Sequence, residues 1–98
     1  MISLPSAVLN SLLETYGEEE QLLQATGECG ELVAVIQNYL RAIKYGRRTE
    51  TIKDVMEEAV DVFFMVQQIR AIDPLMFDEI SSEKAVAVIL KSQKGSIK

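Results

Sequence analysis

Histidine is absent from this chain of 98 residues, and cysteine occurs once, as Cys29. Without histidine, the chain cannot form a Ser-His-Asp or Cys-His nucleophilic centre, and histidine-ligated zinc or iron sites are excluded. A single cysteine forms no disulfide within the chain and no thiolate zinc cluster, which is typical of a cytoplasmic protein. Any catalysis must therefore use carboxylates, lysines, arginines, tyrosines or a bound metal ion.

The sequence also lacks a basic face, a secretory signal and a long apolar run. The net charge of −5 argues against binding to nucleic-acid polymers, which requires a basic surface. No apolar segment reaches the length of a membrane span, and the start, Met-Ile-Ser-Leu-Pro-Ser, has no basic region ahead of an apolar one. We expect one cytoplasmic domain over residues 1–98, with neither a nucleic-acid polymer nor a membrane as its partner.

Apolar residues make up 48% of the chain and recur at helical spacing, without strand-like alternation. Gly17 and Gly46 stand where helices are expected to end. The pattern predicts an all-α fold, a four- to five-helix bundle built on a long antiparallel hairpin of the second and third helices. The predicted helices span 4–15, 18–44, 51–72, a short helix or turn at 74–80, and a last helix that begins at Ser81 or Ser82 and ends near Lys94.

The third predicted helix is apolar nearly all round, because Asp61 is the one polar residue between 59 and 66. Such a helix is buried on more than one side. A chain this small has few other helices to cover it, so we expect a homodimer or a homotetramer.

Four carboxylates form two pairs at i,i+3 spacing. Glu28 and Glu31 belong to the second predicted helix, and Glu58 and Asp61 to the third. Each pair lies on one helix face, and a solvated surface is the ordinary explanation of such a pair. Apolar residues flank Asp61, however, and burying a carboxylate without a partner is costly. Oxygen ligands without histidine or thiolate favour Mg²⁺ or Mn²⁺.

Two further features concern the geometry of the acidic pairs and the access to them. The pairs are offset by roughly 7 Å along the hairpin, at 1.5 Å per residue, unless the connection descends before the third helix begins. Gly27 and Gly30 flank Glu28 inside the second predicted helix, where each costs roughly 1 kcal/mol relative to alanine. We expect another backbone or a ligand to approach closely there.

The motifs Glu28-Cys29-Gly30-Glu31 and Glu58-Ala59-Val60-Asp61 are separated by 26 residues. This arrangement resembles the metal-binding signature of the MazG-like, all-α nucleoside triphosphate pyrophosphohydrolases, and the likeness covers roughly residues 16–94. The resemblance implies an enzyme that uses Mg²⁺ to cleave a nucleoside triphosphate into the monophosphate and pyrophosphate, cleaning the nucleotide pool.

The resemblance also implies roles for individual residues. Glu28, Glu31, Glu58 and Asp61 become the metal ligands, and Glu57 or one of these four positions the attacking water. The family places basic residues near the triphosphate where this chain has Lys84 and Lys91, although solvated lysines would look the same. From the residues alone, Gln21 could contact the base of a substrate and Arg47 could reach phosphate; an exposed amide and a cation at a helix C-terminus are the ordinary explanations. The family commonly has a second glutamate where this chain has Gly27, so one or two metal ions remain open.

Two other readings stay open at this point. In one, the chain is a non-catalytic helical module that dimerises or binds a protein partner, and the carboxylates are surface charge. In the other, the same pocket accepts a different phosphorylated metabolite.

Overall fold

The computed structural model describes residues 2–46 and 49–96, and within them the chain forms three α-helices and no strand. Helix α1 spans Ser6–Lys44, α2 spans Ile52–Arg70 and α3 spans Pro74–Ser96. The all-α class predicted from the sequence is confirmed.

Helix α1 contains a break at Gly17, where the backbone leaves the helical conformation with φ 80° and ψ 164°. Side chains other than hydrogen are essentially excluded from this region of backbone space, so glycine is required at the break. The first two predicted helices are therefore two segments of one element, divided at the residue where the sequence placed the division.

Helix α2 begins with a variant of the capping box, formed by Thr51 and Asp54. The Asp54 carboxylate accepts a hydrogen bond of 2.7 Å from the Thr51 backbone N–H, and the Thr51 hydroxyl lies 3.1 Å from the same oxygen. These contacts satisfy polar groups that the first turn leaves without helical partners.

The helices predicted after residue 73 were wrong, because the structure has a single helix there, α3. A short helix at 74–80 followed by a separate helix from Ser81 or Ser82 was expected, but α3 runs without interruption through both serines. Asp73 supplies the start, because its carboxylate accepts a 3.1 Å hydrogen bond from the Met76 N–H and Pro74 is pre-organised for a first turn. Serine is only mildly unfavourable inside a helix, so nothing forces a second start, and three helices replace the predicted four or five.

Helices α1 and α2 form the antiparallel hairpin. The Gln21 amide donates a 3.1 Å hydrogen bond to the Gln68 side-chain oxygen, and Gln21 is only 1% exposed. Near the start of the chain, the Leu4 N–H donates to the Gln67 side chain over 3.0 Å. Among the described residues the buried apolar side chains number four, so the core of a single chain is small: Leu9, Ala25, Ala42 and Met65.

The Gln21–Gln68 pair fixes the register of the hairpin. Glu28 lies seven residues after Gln21, and Asp61 lies seven residues before Gln68. The same register sets Glu31 opposite Glu58. In this register the last turns of α1 extend beyond the start of α2. The chain runs back beside those turns before α2 begins, because Thr49 and Glu50 share a surface cleft with residues 38, 41, 42 and 45. This backward run removes the offset of the acidic pairs that the sequence predicts.

Helix α3 stands away from the hairpin. It makes few contacts with α1 or α2, and the Arg70–Asp78 ion pair at 2.8 Å anchors its first turns. The molecule measures 46 × 38 × 22 Å, and a helix of 23 residues is about 34 Å long. The hairpin and the projecting α3 thus give an elongated shape in place of a compact bundle.

Candidate carboxylate site

The hairpin brings the two acidic motifs together. Glu28 and Glu31 on α1 and Glu58 on α2 each offer a carboxylate oxygen, and these oxygens lie within 4.8 Å of one another. We call these three residues the carboxylate cluster. Since the cluster lies ten residues or fewer from the Gln21–Gln68 pair on each helix, the register set by that pair is what juxtaposes them.

Two oxygens of the cluster are hidden from solvent. Glu28 and Glu58 are half-buried, whereas Glu31 is exposed. One oxygen of Glu28 and one of Glu58 are inaccessible to water and have no hydrogen-bond donor among the described residues. Buried polar atoms ordinarily have a partner; in the described part of the chain, the side-chain oxygen of Gln21 is the third buried atom that lacks one.

The electrostatics of the cluster follow from this burial. The pKa of Glu28 is raised above its ordinary value, first by desolvation and then by the negative charges of Glu31 and Asp61. The pKa of Glu58 is raised for the same reasons, with Glu28 contributing as well. A side-chain hydrogen bond to Glu31 also raises the pKa of both residues. Both carboxylates therefore hold a proton more readily than they would in water, and a bound cation would relieve the same repulsion.

Asp61 differs from the sequence-based expectation. Its apolar sequence neighbours were expected to enclose it, but its side chain is exposed. Consecutive residues point about 100° apart around a helix, so flanking residues need not surround one another in space. Asp61 is not among the three residues whose oxygens lie within 4.8 Å of one another, but it lies near enough to raise the pKa of Glu28 and Glu58.

Glu57 and Gln21 are held by other contacts. Glu57 is exposed and lies 3.6 Å from Lys53, one turn earlier on α2. Gln21 is the most deeply buried side chain of the chain's described part, with its amide directed to Gln68. In this conformation it presents no surface to a substrate. The Gln21–Gln68 pair was missed by sequence reasoning, although its equal spacing from Glu28 and Asp61 was a usable signal.

The lysines predicted to contact substrate are exposed on α3. Neither Lys84 nor Lys91 forms an ion pair with the carboxylate cluster within residues 2–46 and 49–94, because α3 projects from the hairpin. Arg47 lies outside the described residues. Among the residues that the structure describes, no lysine or arginine forms an ion pair with Glu28, Glu31 or Glu58; Lys53 pairs with Glu57, which lies outside the carboxylate cluster.

Gly27 and Gly30 leave open space beside the carboxylate cluster. A β-carbon placed on either would meet no atom of the described chain within 4 Å. The close approach expected from the sequence is thus not made by any backbone segment that the structure describes. Both positions remain accessible to a ligand or to another molecule.

The donor set consists of carboxylate oxygens, which are the ligands that a hard divalent cation such as Mg²⁺ takes in proteins. At about 2.1 Å from the ion, neighbouring ligands of an octahedral site are about 3 Å apart and opposite ligands about 4.2 Å apart. The three oxygens of the carboxylate cluster, which lie within 4.8 Å of one another, would have to draw closer together to hold such an ion. Glu31 and Asp61, on the exposed side, would complete an oxygen site that opens to solvent.

Comparisons with protein-family models, with curated proteins and with solved structures found no match to this chain. Separately, no helix in the described ranges combines the length and apolarity needed to cross a membrane.

Proposed function

We propose that this chain is a Mg²⁺-dependent nucleoside triphosphate pyrophosphohydrolase, which converts a (d)NTP into the (d)NMP and pyrophosphate. The support is the meeting of the two acidic motifs in one cluster with two buried, unpartnered oxygens. The resemblance of those motifs to the MazG-like signature supplies the reaction class. The biological role would be cleaning of the nucleotide pool.

The residues divide the work by position. Glu28 and Glu58, half-buried on facing helices, would hold Mg²⁺ or Mn²⁺ from the protein side, and Glu31 and Asp61 would do so from the solvent side. A divalent ion bound there would neutralise phosphate charge and lower the pKa of a water molecule. A carboxylate oxygen not engaged with the ion, on Glu31 or Asp61, would accept the proton from the attacking water. The triphosphate would approach across the exposed side.

Four carboxylates remain for the site, because Gly27 contributes none and Glu57 pairs with Lys53. Since Mg²⁺ is usually held by one or two carboxylates and keeps several water molecules, these four could hold either one ion or two. Isothermal titration with MgCl₂ would give the stoichiometry per chain.

The test of this function is pyrophosphate release from a panel of nucleoside triphosphates, with Mg²⁺ and with EDTA. We expect turnover that requires the ion, and we expect Glu31→Gln to abolish it while the circular dichroism spectrum is retained. Glu20→Gln is the matched control, because it removes one exposed carboxylate from the same helix outside the cluster. Normal hydrolysis by Glu31→Gln would contradict the role assigned to Glu31.

The same hydrolysis assay distinguishes this proposal from two alternatives, an enzyme with a different phosphorylated substrate and a non-catalytic helical module. Other phosphorylated metabolites, added as further substrates, would reveal a pocket of the same chemistry with a different specificity. A non-catalytic helical module is favoured by one observation, the exposed apolar surface of α3. The absence of phosphate or pyrophosphate release from every substrate, at any Mg²⁺ concentration, would leave that reading.

A further inference from the structure

Helix α3 presents apolar side chains to solvent on all its sides. From residue 85 to residue 90 every side chain is apolar, and every one is exposed. Val88 is 65% exposed and Leu75 is 80% exposed. Scattered exposed apolar residues are normal on a protein surface, but a contiguous apolar helix marks a binding surface. We call this the α3 surface: Leu75, Ile80, Val86, Val88, Ile89 and Leu90.

A second apolar surface lies on α1 and is also uncovered. Val33, Ile36, Leu40 and Ile43 follow one face of the helix at steps of three and four residues, and each is more than a third exposed. We call this the α1 stripe. The hairpin partner α2 does not cover it, and α3 projects away from it.

The radius of gyration and the accessible surface area show how much more surface this chain exposes than a compact monomer of the same size. The radius of gyration is 16.9 Å, whereas a compact domain of this length has about 13 Å. The accessible surface is 7785 Å², whereas a folded monomer of 11.0 kDa exposes about 5,600 Å². The excess of about 2,200 Å² per chain, taken over two chains, falls in the range of obligate homodimer interfaces.

We propose that a second copy of this chain covers the α3 surface, and that α3 of each copy lies along the α1 stripe of the other. The chain itself carries both complementary parts, a projecting apolar helix and an uncovered apolar stripe, so a reciprocal pair satisfies both with one two-fold contact. The missing area is that of an obligate interface, and a second copy supplies both surfaces without any other partner. This inference is independent of the proposed hydrolysis.

The test begins with the molecular mass of the full chain in solution. Sedimentation equilibrium across the micromolar range is expected to give twice 11.0 kDa, or a higher even multiple, with no monomer at the upper end. Val88→Glu places a charge in the covered surface and is expected to raise the dissociation constant at least about 100-fold. Ser82→Glu adds the same charge on an exposed polar position of α3 and should leave the dissociation constant unchanged.

Amide hydrogen exchange on the unmodified chain provides a readout that does not depend on a variant's folding. In the oligomer, the α3 amides should be protected, and protection should fall as the sample is diluted. A monomer at every concentration would overturn the proposal, whether α3 is protected by folding back or not. An oligomer whose α3 amides exchange freely, or a Val88→Glu variant that associates as tightly as Ser82→Glu, would also overturn it.

Discussion

The hydrogen bond between Gln21 and Gln68 should be the most consequential polar contact of the hairpin. Gln21 is 1% exposed and Gln68 is 8% exposed, and the donor and acceptor are 3.1 Å apart. Replacing Gln21 with methionine, which has a similar shape, leaves the Gln68 side-chain oxygen without its donor, while the Gln68 NH₂ still donates to the Phe64 carbonyl over 3.3 Å. Replacing Gln68 leaves the Gln21 NH₂ without its acceptor. An unpaired buried polar group costs about 1–3 kcal/mol. For a domain of this size each kcal/mol lowers the melting temperature by about 4–8 °C.

The two single variants and the double variant form a thermodynamic cycle. We expect Gln21→Met and Gln68→Met each to lower the free energy of unfolding by about 1–3 kcal/mol. The double variant should be close to the unmodified chain, because both amides are removed together with the Gln21 carbonyl oxygen that already lacks a donor. The coupling energy between the two positions should therefore be large for a neutral pair.

Urea unfolding followed by circular dichroism measures these free energies, at a fixed chain concentration so that any association contributes equally. Gln24→Met is the control, because Gln24 is exposed on the same helix. The reasoning would be refuted if the single variants lost no more stability than Gln24→Met, or if their effects simply added. In either case the register of the hairpin would have to be held by other contacts.

Three further predictions concern the carboxylate cluster and two glycines. The pKa values of Glu28 and Glu58 are raised in the folded chain. Their contribution to the free energy of unfolding is therefore greatest below the carboxyl pKa of the unfolded chain, and it is lost as pH rises through the folded pKa values. Thermal melts without divalent ions should show a melting temperature that falls over this rise in pH. At neutral pH, Mg²⁺ at about 100 times its dissociation constant should restore about 2.7 kcal/mol, and an ion-independent melting temperature would count against the site. Gly30→Ala should raise the unfolding free energy by about 0.5–1 kcal/mol, since its β-carbon meets open space, while Gly17→Ala should lower it by about 1–3 kcal/mol because of its positive φ. Denaturant melts compare the two, and a destabilising Gly30→Ala would mean that another molecule packs against that face.

Much of the helical architecture could be predicted because it depends on local signals. The apolar period gave the end of α1 near residue 44, and Gly17 marked the break, since both reflect the preferences of neighbouring residues. The prediction failed at Ser81 and Ser82, where a residue type that can cap a helix was taken as a helix start. A serine caps a helix only where the backbone is not already helical. Because α3 begins at Asp73 and Pro74, where the Asp73 carboxylate accepts the Met76 N–H, Ser81 and Ser82 lie inside a helix and cap nothing.

The candidate site was predictable in its residues but not in its surroundings. The spacing of Glu28, Glu31 and Glu58 followed from helix geometry, and the structure brings them together. The exposure of Asp61 and the burial of Gln21 depend on which face each helix turns to its neighbour, and a single sequence does not contain that rotation. The projection of α3 could not be predicted either, because the apolar pattern indicates that a helix needs cover without saying which chain supplies it.

The return of Thr49 and Glu50 along the last turns of α1 has an evolutionary consequence. If the paired glutamines hold the facing helices in register, as the variants above test, residues gained or lost between α1 and α2 are expected to leave the acidic motifs facing each other. Descendants of this chain can therefore differ in the length of that segment while the same carboxylates still face one another. The number of residues separating the motifs is then a loose guide for finding its relatives, and their distances from the two glutamines are a stricter one.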